Sequence, residues 1–146
     1  MIKYGAVMVL AVAAVFFAAG VLYAGVQPNK EMQALMDSYL AAAMKADPGF
    51  KGFSAEEGKA FFNAKRMHSA NKEERGCTTC HTTNPANKGK TTVGKVIEPM
   101  APSINKERFT DPAKVEKWFK RNCSWVLERE CTPKEKGNYI TYMLSI

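Results

Sequence analysis

The five residues Cys77-Thr78-Thr79-Cys80-His81 constrain this chain more than any others. C-x-x-C-H is the attachment pattern of a c-type haem. Two thiols add across the two vinyl groups of a porphyrin, and the two-residue gap suits the spacing of those vinyls. The histidine follows at once, so its imidazole meets one face of the iron, where histidine is a common axial ligand. The competing patterns fit less well. A thioredoxin-like C-x-x-C belongs to a βαβ unit, and no such alternation flanks Cys77. A zinc site needs a second Cys/His pair, and only His68 and the irregularly spaced Cys123 and Cys131 stand available for one. We therefore expect one covalent haem c, held by Cys77 and Cys80 and ligated by His81.

The remaining cysteines, Cys123 and Cys131, pair in an oxidising compartment or stay as core thiols. Their polar neighbours, Asn122-Cys123-Ser124 and Glu130-Cys131-Thr132, favour pairing. An oxidising compartment also agrees with the start of the chain. Tyr4 to Val26 is uncharged and apolar, and it follows Lys3. That suits an export signal, although its apolar part exceeds the usual run of about 7–15 residues. As a helix its 23 residues reach about 34 Å, enough for a hydrocarbon core of about 30 Å. We expect residues 1–26 to be a signal peptide or an uncleaved transmembrane anchor, with the rest on the periplasmic side of a bacterial inner membrane. The formal charge of +7 falls almost wholly outside this segment. No Lys/Arg cluster interleaved with aromatics suggests a nucleic-acid groove, so the charge reads as a solvated surface able to steer an acidic partner.

After a linker at residues 27–31, the domain is expected to occupy residues 32–146. Met32, Leu35, Met36, Tyr39, Leu40, Ala43 and Met44 recur at helical spacing, and the Met-rich stripe reads as core packing. Asp47-Pro48-Gly49 ends this helix. Ser54 to Met67 is expected to be the next, with Ser54 and Glu57 as a capping box. Gly58 and Phe62 lie one turn apart, and an interior helical glycine marks the close approach of another helix. This resembles class I cytochromes c, where an N-terminal helix crosses the C-terminal one at a Gly/aromatic pair; Tyr142 is the partner expected here. His68 follows and reads as a surface histidine. From Thr82 to Arg108 there is little periodicity, and Pro85, Gly89, Gly94, Pro99 and Pro102 mark a long loop. Its apolar part, Ile97 and Pro99 to Pro102, is expected to lie against a haem edge. Thr110-Asp111-Pro112 opens a helix with Val115, Trp118 and Phe119 on its apolar face, expected to end near Arg121-Asn122. Thr132 to Glu135 opens the last helix with a capping box. The fold class is all-α, a small helical domain wrapped on one haem, with an added N-terminal helix.

The second axial ligand of class I cytochromes c comes from the segment before the last helix and is normally methionine. Asn122 to Cys131 contains neither methionine nor histidine. Asn122, Ser124, Glu128 and Glu130 remain, and Glu128 and Glu130 read as solvated. Met100 is the alternative, nineteen residues beyond His81. Gly94-Lys95, Pro99-Met100-Ala101-Pro102-Ser103, Arg108-Phe109-Thr110-Asp111, Val115-Glu116-Lys117-Trp118, Arg121-Asn122-Cys123, Glu128-Arg129-Glu130-Cys131-Thr132 and Glu135-Lys136 follow one another in an order that resembles the sphaeroides haem protein (SHP) family. The likeness runs from about Met32 to Ile146. It implies a class I cytochrome c with one haem, a disulfide between Cys123 and Cys131, and Asn122 as sixth ligand. From the residues alone, Asn122 also suits a helix C-cap.

Three functions follow as expectations. The first is an exported cytochrome that carries single electrons and, when reduced, loses its weak Asn122 ligand and binds O2 or NO. The second is a low-spin carrier with His81 and Met100 ligation. The third is a membrane-anchored haem subunit of a larger redox complex. Each requires a redox partner protein, such as another cytochrome. Turnover as an enzyme is not legible in the sequence.

Overall fold

The structure, a computed structural model, describes residues 25–146. The apolar segment Tyr4 to Val26 lies outside them except for its last two residues. Among the described residues no helix is long and apolar enough to cross a membrane.

Four helices carry the fold: α1 (Lys30–Ala46), α2 (Ala55–Asn63), α3 (Pro112–Leu127) and α4 (Pro133–Leu144). Asn29 starts α1 two residues earlier than the apolar periodicity, because its side chain accepts from Met32 N–H at 2.8 Å. The same side chain donates to the Thr110 carbonyl at 2.8 Å, and Val26 N–H donates to Leu144 O at 2.8 Å. The linker is thus docked on the domain. Met32 and Met36 are core residues, as the packing reading of the stripe requires, while Met44 is exposed.

Helix α2 stops at Asn63, four residues short of expectation. Arg66–Met67 (β1) pairs instead with Glu74–Arg75 (β2), Arg66 opposite Arg75 and Met67 opposite Glu74. A second antiparallel pair, Gly89–Lys90 (β3) with Val96–Ile97 (β4), lies within the long loop. These two short ladders are the departures from an all-α chain among the described residues.

The centre of the fold is the crossing of α2 and α4. A Cβ added at Gly58 would run into the Asn138 carbonyl and come within 2.8 Å of Tyr142 Cβ. The backbones therefore touch where the side chain is missing. Phe62 packs one turn away, its ring 6.0 Å from Tyr142 and 6.1 Å from Tyr139. The capping box at Ser54 is only half formed. Ser54 Oγ accepts from Glu57 N–H at 3.1 Å, but Ser54 N–H donates to Asn138 Oδ1 at 2.9 Å, and Asn138 Nδ2 donates to Glu57 at 2.7 Å. The buried Asn138 side chain inserts between the two halves of the box and turns a local cap into a tie between helices. The box opening α4, between Thr132 and Glu135, is complete.

Helices α1, α3 and α4 meet at Tyr39, Glu116 and Lys136. The Tyr39 hydroxyl donates to the Glu116 carboxylate, which accepts from Lys136 Nζ at 2.8 Å. Burial alone would raise the Glu116 carboxyl, but the bonds from Lys136 and Tyr39 outweigh it and hold the group below its ordinary range.

Helix α3 runs through Asn122 to Leu127 and is capped by Glu128 in the left-handed region, φ 56°. The expected stop near Asn122 is overridden because Val115, Phe119, Cys123 and Val126 continue one buried stripe. Asn122 is therefore not a C-cap. Trp118 stays 45 % exposed with the Arg121 guanidinium 5.2 Å over its ring, so it does not join the core.

Replacing Gly58 by alanine sets two effects against each other. Helix propensity favours alanine by about 1 kcal/mol, and overpacking costs about 1–3 kcal/mol. The obstruction here is backbone, which cannot move aside without separating the helices, so the collision should win. Gly58→Ala should lower the melting temperature of the holoprotein by roughly 4–8 °C, measured by circular dichroism. An unchanged or raised melting temperature would show that the crossing is looser than described.

Candidate haem site

Cys77–Thr79 form one 3-10 turn. Thr79 N–H donates to Gly76 O at 3.1 Å, and Gly76 N–H donates to Thr79 Oγ1 at 3.1 Å. Cys80 N–H and His81 N–H both donate to the Cys77 carbonyl, at 3.2 and 3.0 Å. Both thiols and the imidazole therefore ride on one hydrogen-bonded unit. Lys90 N–H braces it from the long loop by donating to Cys80 O at 2.8 Å. Beside that bond, a Cβ at Gly89 would overlap the Cys80 carbonyl, so glycine is required for the approach.

The donor chemistry suits a porphyrin. Cys77 and Cys80 are separate, half-buried thiols. Burial pushes the Cys77 thiol up to about 11, and nearby Arg66 opposes this only in part. A redox cysteine is arranged the other way, with its thiolate stabilised. Burial, then the charge of Arg108, holds the His81 imidazole below its ordinary value. It is thus neutral, the form that binds a metal. Among the described residues no three His, Cys, Asp or Glu side chains converge as a metal site. The surroundings are apolar. Tyr139, buried near Cys77, has its hydroxyl raised first by burial and then by that sulfur. The rings of Phe62, Phe109 and Phe119 lie 6.1, 6.1 and 5.5 Å from it. Cys77, Met100 and Phe109 pack against the same core cluster. Two cysteines on one braced turn and a neutral imidazole beside an aromatic wall fit a haem.

The loop beyond His81 is stitched to itself. Met100 N–H and Ala101 N–H both donate to Pro85 O, at 2.8 and 3.0 Å. The Pro99 carbonyl accepts from Arg108 Nε at 2.9 Å and Asn105 Nδ2 at 3.3 Å. Pro99, Ala101 and Pro102 are buried, and Ile97 and Met100 half-buried. Asn122 is exposed on α3. Cys123 and Cys131 are joined by a disulfide, their Cα atoms 5.5 Å apart. His68 is mostly covered and faces Glu128, Nε2 to Oε1 3.4 Å. It is not a free surface group. Glu128 is correspondingly not a merely solvated carboxylate.

These features can be set beside known proteins. Residues 48–143 match a family model described as "Domain of unknown function (DUF1924)". Cytochrome c'' of Methylophilus methylotrophus is 45 % identical over 112 residues, which are 76 % of this chain and 77 % of that protein. The cytochrome c-type protein SHP of Cereibacter sphaeroides is 43 % identical over 89 residues, 61 % of this chain and 68 % of that one. The chain belongs to the family of cytochrome c'' and SHP. Two solved structures of the family share the fold. The solution structure of cytochrome c'' gives a TM-score of 0.71 at 42 % identity, covering 80 % of this chain and 94 % of that one. Oxidised SHP gives 0.67 at 38 %, covering 79 % and 96 %. The chain is thus a c-type cytochrome with covalent haem c.

Several residues of the site gave no sequence signal. Gly89 looks like any loop glycine until its contact with Cys80 is known. Arg108 reads as surface charge yet donates to two loop carbonyls, Pro99 O and Glu98 O. Arg75 lies 4.8 Å over the Trp125 ring and donates to Trp125 O at 3.4 Å.

Replacing both attachment cysteines, Cys77→Ala with Cys80→Ala, should yield an exported chain that fails a haem stain on a denaturing gel. Without its ligand the loop from Thr82 to Arg108 loses a packing partner, and limited proteolysis should cut it rapidly. A protease-resistant double variant would mean that the fold does not depend on the cofactor.

Proposed function

We propose that this chain is an exported monohaem electron carrier in which His81 is the fixed axial ligand and Asn122 a displaceable one. The observation that carries this reading is how α3 meets the attachment segment. Arg75, two residues before Cys77, covers Trp125, and Asn122 lies one turn before Trp125 on the same margin of the helix. Its side chain is exposed rather than packed, so the carboxamide is available as a donor. Met100 is less suitable. Its backbone is tied to Pro85, four residues beyond His81, which holds it with the proximal segment.

The haem supplies an iron that exchanges one electron at a time and offers two axial positions. His81, on its braced turn, stays in place in both oxidation states. Asn122 offers a neutral amide oxygen, a weak donor that the more highly charged ferric iron favours. On reduction that attraction would weaken, and Asn122, a neutral amide, would be the residue to give way, leaving room for O2 or NO. The disulfide at Cys123 keeps the residue within reach for return. SHP is described as an oxygen binding cytochrome c, and the cytochrome c'' structure as bearing on haem-ligand detachment; both descriptions support the reading. Residues 1–26 act as the export segment and place the domain in the periplasm, where a redox protein of complementary charge is its partner. If that segment stays as an anchor, much of the protein should resist a high-salt membrane wash; a mature N-terminus at Val21 or Gly25 would mark a cleaved signal.

Absorption spectra of the holoprotein in both states test the iron site. The ferrous form should be high-spin and bind carbon monoxide without denaturant. Asn122→Ala should change the ferric spectrum and leave the ferrous one nearly unchanged. Met100→Leu, close in volume, should alter neither. A far-red band in the ferric protein that Met100→Leu abolishes would instead establish a sulfur ligand and a plain electron carrier.

A further inference from the structure

The turn between β1 and β2 docks on the C-terminal end of α3. Ser69 N–H donates to Glu128 Oε2 at 2.9 Å, and Ser69 Oγ donates to Glu128 Oε1 at 2.5 Å. His68 Nε2 lies 3.4 Å from Oε1. Both carboxylate oxygens are therefore engaged by one short segment. From β2, Arg75 covers the Trp125 ring and donates to its carbonyl. The hairpin thus holds α3 at two points, Trp125 and Glu128, and its second strand leads directly into Gly76 and Cys77. The docking residue occupies an unfavourable backbone position. Glu128 is not glycine, yet φ is 56°. Non-glycine residues adopt this region infrequently and at some cost. What the side chain gains from Ser69 and His68 offsets that cost.

We propose that Glu128 is a positioning residue for the sixth ligand: by latching the β1–β2 turn to the end of α3, it fixes the helix carrying Asn122 against the segment carrying Cys77. The proposal rests on the reading of Asn122 as an axial ligand. Ser69 and Glu128 are exposed, and exposed polar pairs contribute little to global stability. A position adjustment needs less. Losing one or two hydrogen bonds is enough to shift a bound/unbound ligand equilibrium by roughly threefold to tenfold. An external ligand binds only where the internal one is off, so its apparent affinity reports the fraction open.

Imidazole titration of the ferric holoprotein reads that fraction. Glu128→Gly removes the side chain while suiting the left-handed backbone, so the fold and the disulfide should persist. It should raise the apparent imidazole association constant by about threefold to tenfold. Ser69→Ala, which removes one of the bonds from the opposite side, should give a smaller rise. In an Asn122→Ala background, where no internal ligand competes, Glu128→Gly should add nothing. A constant that responds to Asn122→Ala but not to Glu128→Gly overturns the proposal alone. So does an equal rise from Glu128→Gly in both backgrounds, since the effect would then bypass Asn122. A response to Glu128→Gly with none to Ser69→Ala would place the effect elsewhere than the hairpin and also overturn it. If Asn122→Ala leaves both the ferric spectrum and the imidazole constant unchanged, the ligand reading falls and the latch proposal with it.

Discussion

Two helix backbones can touch only where a side chain is missing, and Gly58 is where α2 and α4 do so. Much of the site follows from that contact. Asn138, at the crossing, is pinned by Ser54 and Glu57 from the start of α2. The next residue on α4, Tyr139, is turned toward Cys77 and gathers Phe62, Phe109 and Phe119 around it. One residue of α4 thus holds the helices together while its neighbour builds the wall of the site. The end of α2 also sets where the attachment turn begins. A Cβ at Gly76 would lie 2.7 Å from Ala64 O, so the chain returns from the hairpin to pack against the C-cap of α2. A shift at the crossing would be carried through Ala64 to Cys77.

The segment from Thr82 to Arg108 shows the opposite economy. It has one two-residue ladder and few regular bonds, and ordering so much irregular backbone costs about 1–2 kcal/mol per residue. Among its links are Pro85 O to Met100 and Ala101, Pro99 O to Arg108 and Asn105, and Lys90 to Cys80. The bond from Lys90 to Cys80 ties the loop to the turn that bears His81. On the expectation that Ile97 and Met100, both half-buried, lie against the haem edge, the cofactor would complete the packing of this loop.

The parts legible in the sequence are those with strong local chemistry. The attachment motif, the caps at Asp111 and Thr132, and the Gly58/Phe62 pair each signal by themselves. The illegible parts depend on partners distant in sequence. Nothing local says that α2 stops at Asn63, because the hairpin that replaces its last turns is stabilised by docking on α3. Nothing local shows that Ser54 N–H prefers Asn138, 84 residues away, to Glu57. Asn122 looks like a helix end, since asparagine suits one. The buried stripe through Cys123 and Val126 carries the helix past it, and this emerges only when α3 is packed. Trp118 misleads in the opposite sense, as an aromatic at core spacing that lies instead beneath Arg121.

That extension of α3 changes what a labile ligand means here. A ligand on a free loop can leave by a swing of the backbone and must be ordered again to return. Asn122 sits inside a helix whose last turns are tied by the Cys123–Cys131 bond to the segment leading into α4, and Arg129 of that segment donates to both Glu135 oxygens at 2.7 and 2.8 Å. The disulfide closes a loop of eight residues' separation, worth about 2.5 kcal/mol in the chain-entropy model. On the proposed reading, the backbone around the ligand is already ordered in both states. Departure is then left to side-chain rotation or to a small shift of the helix. On that reading lability comes from the ligand itself, a neutral carboxamide weak enough for the charge on the iron to decide whether it stays.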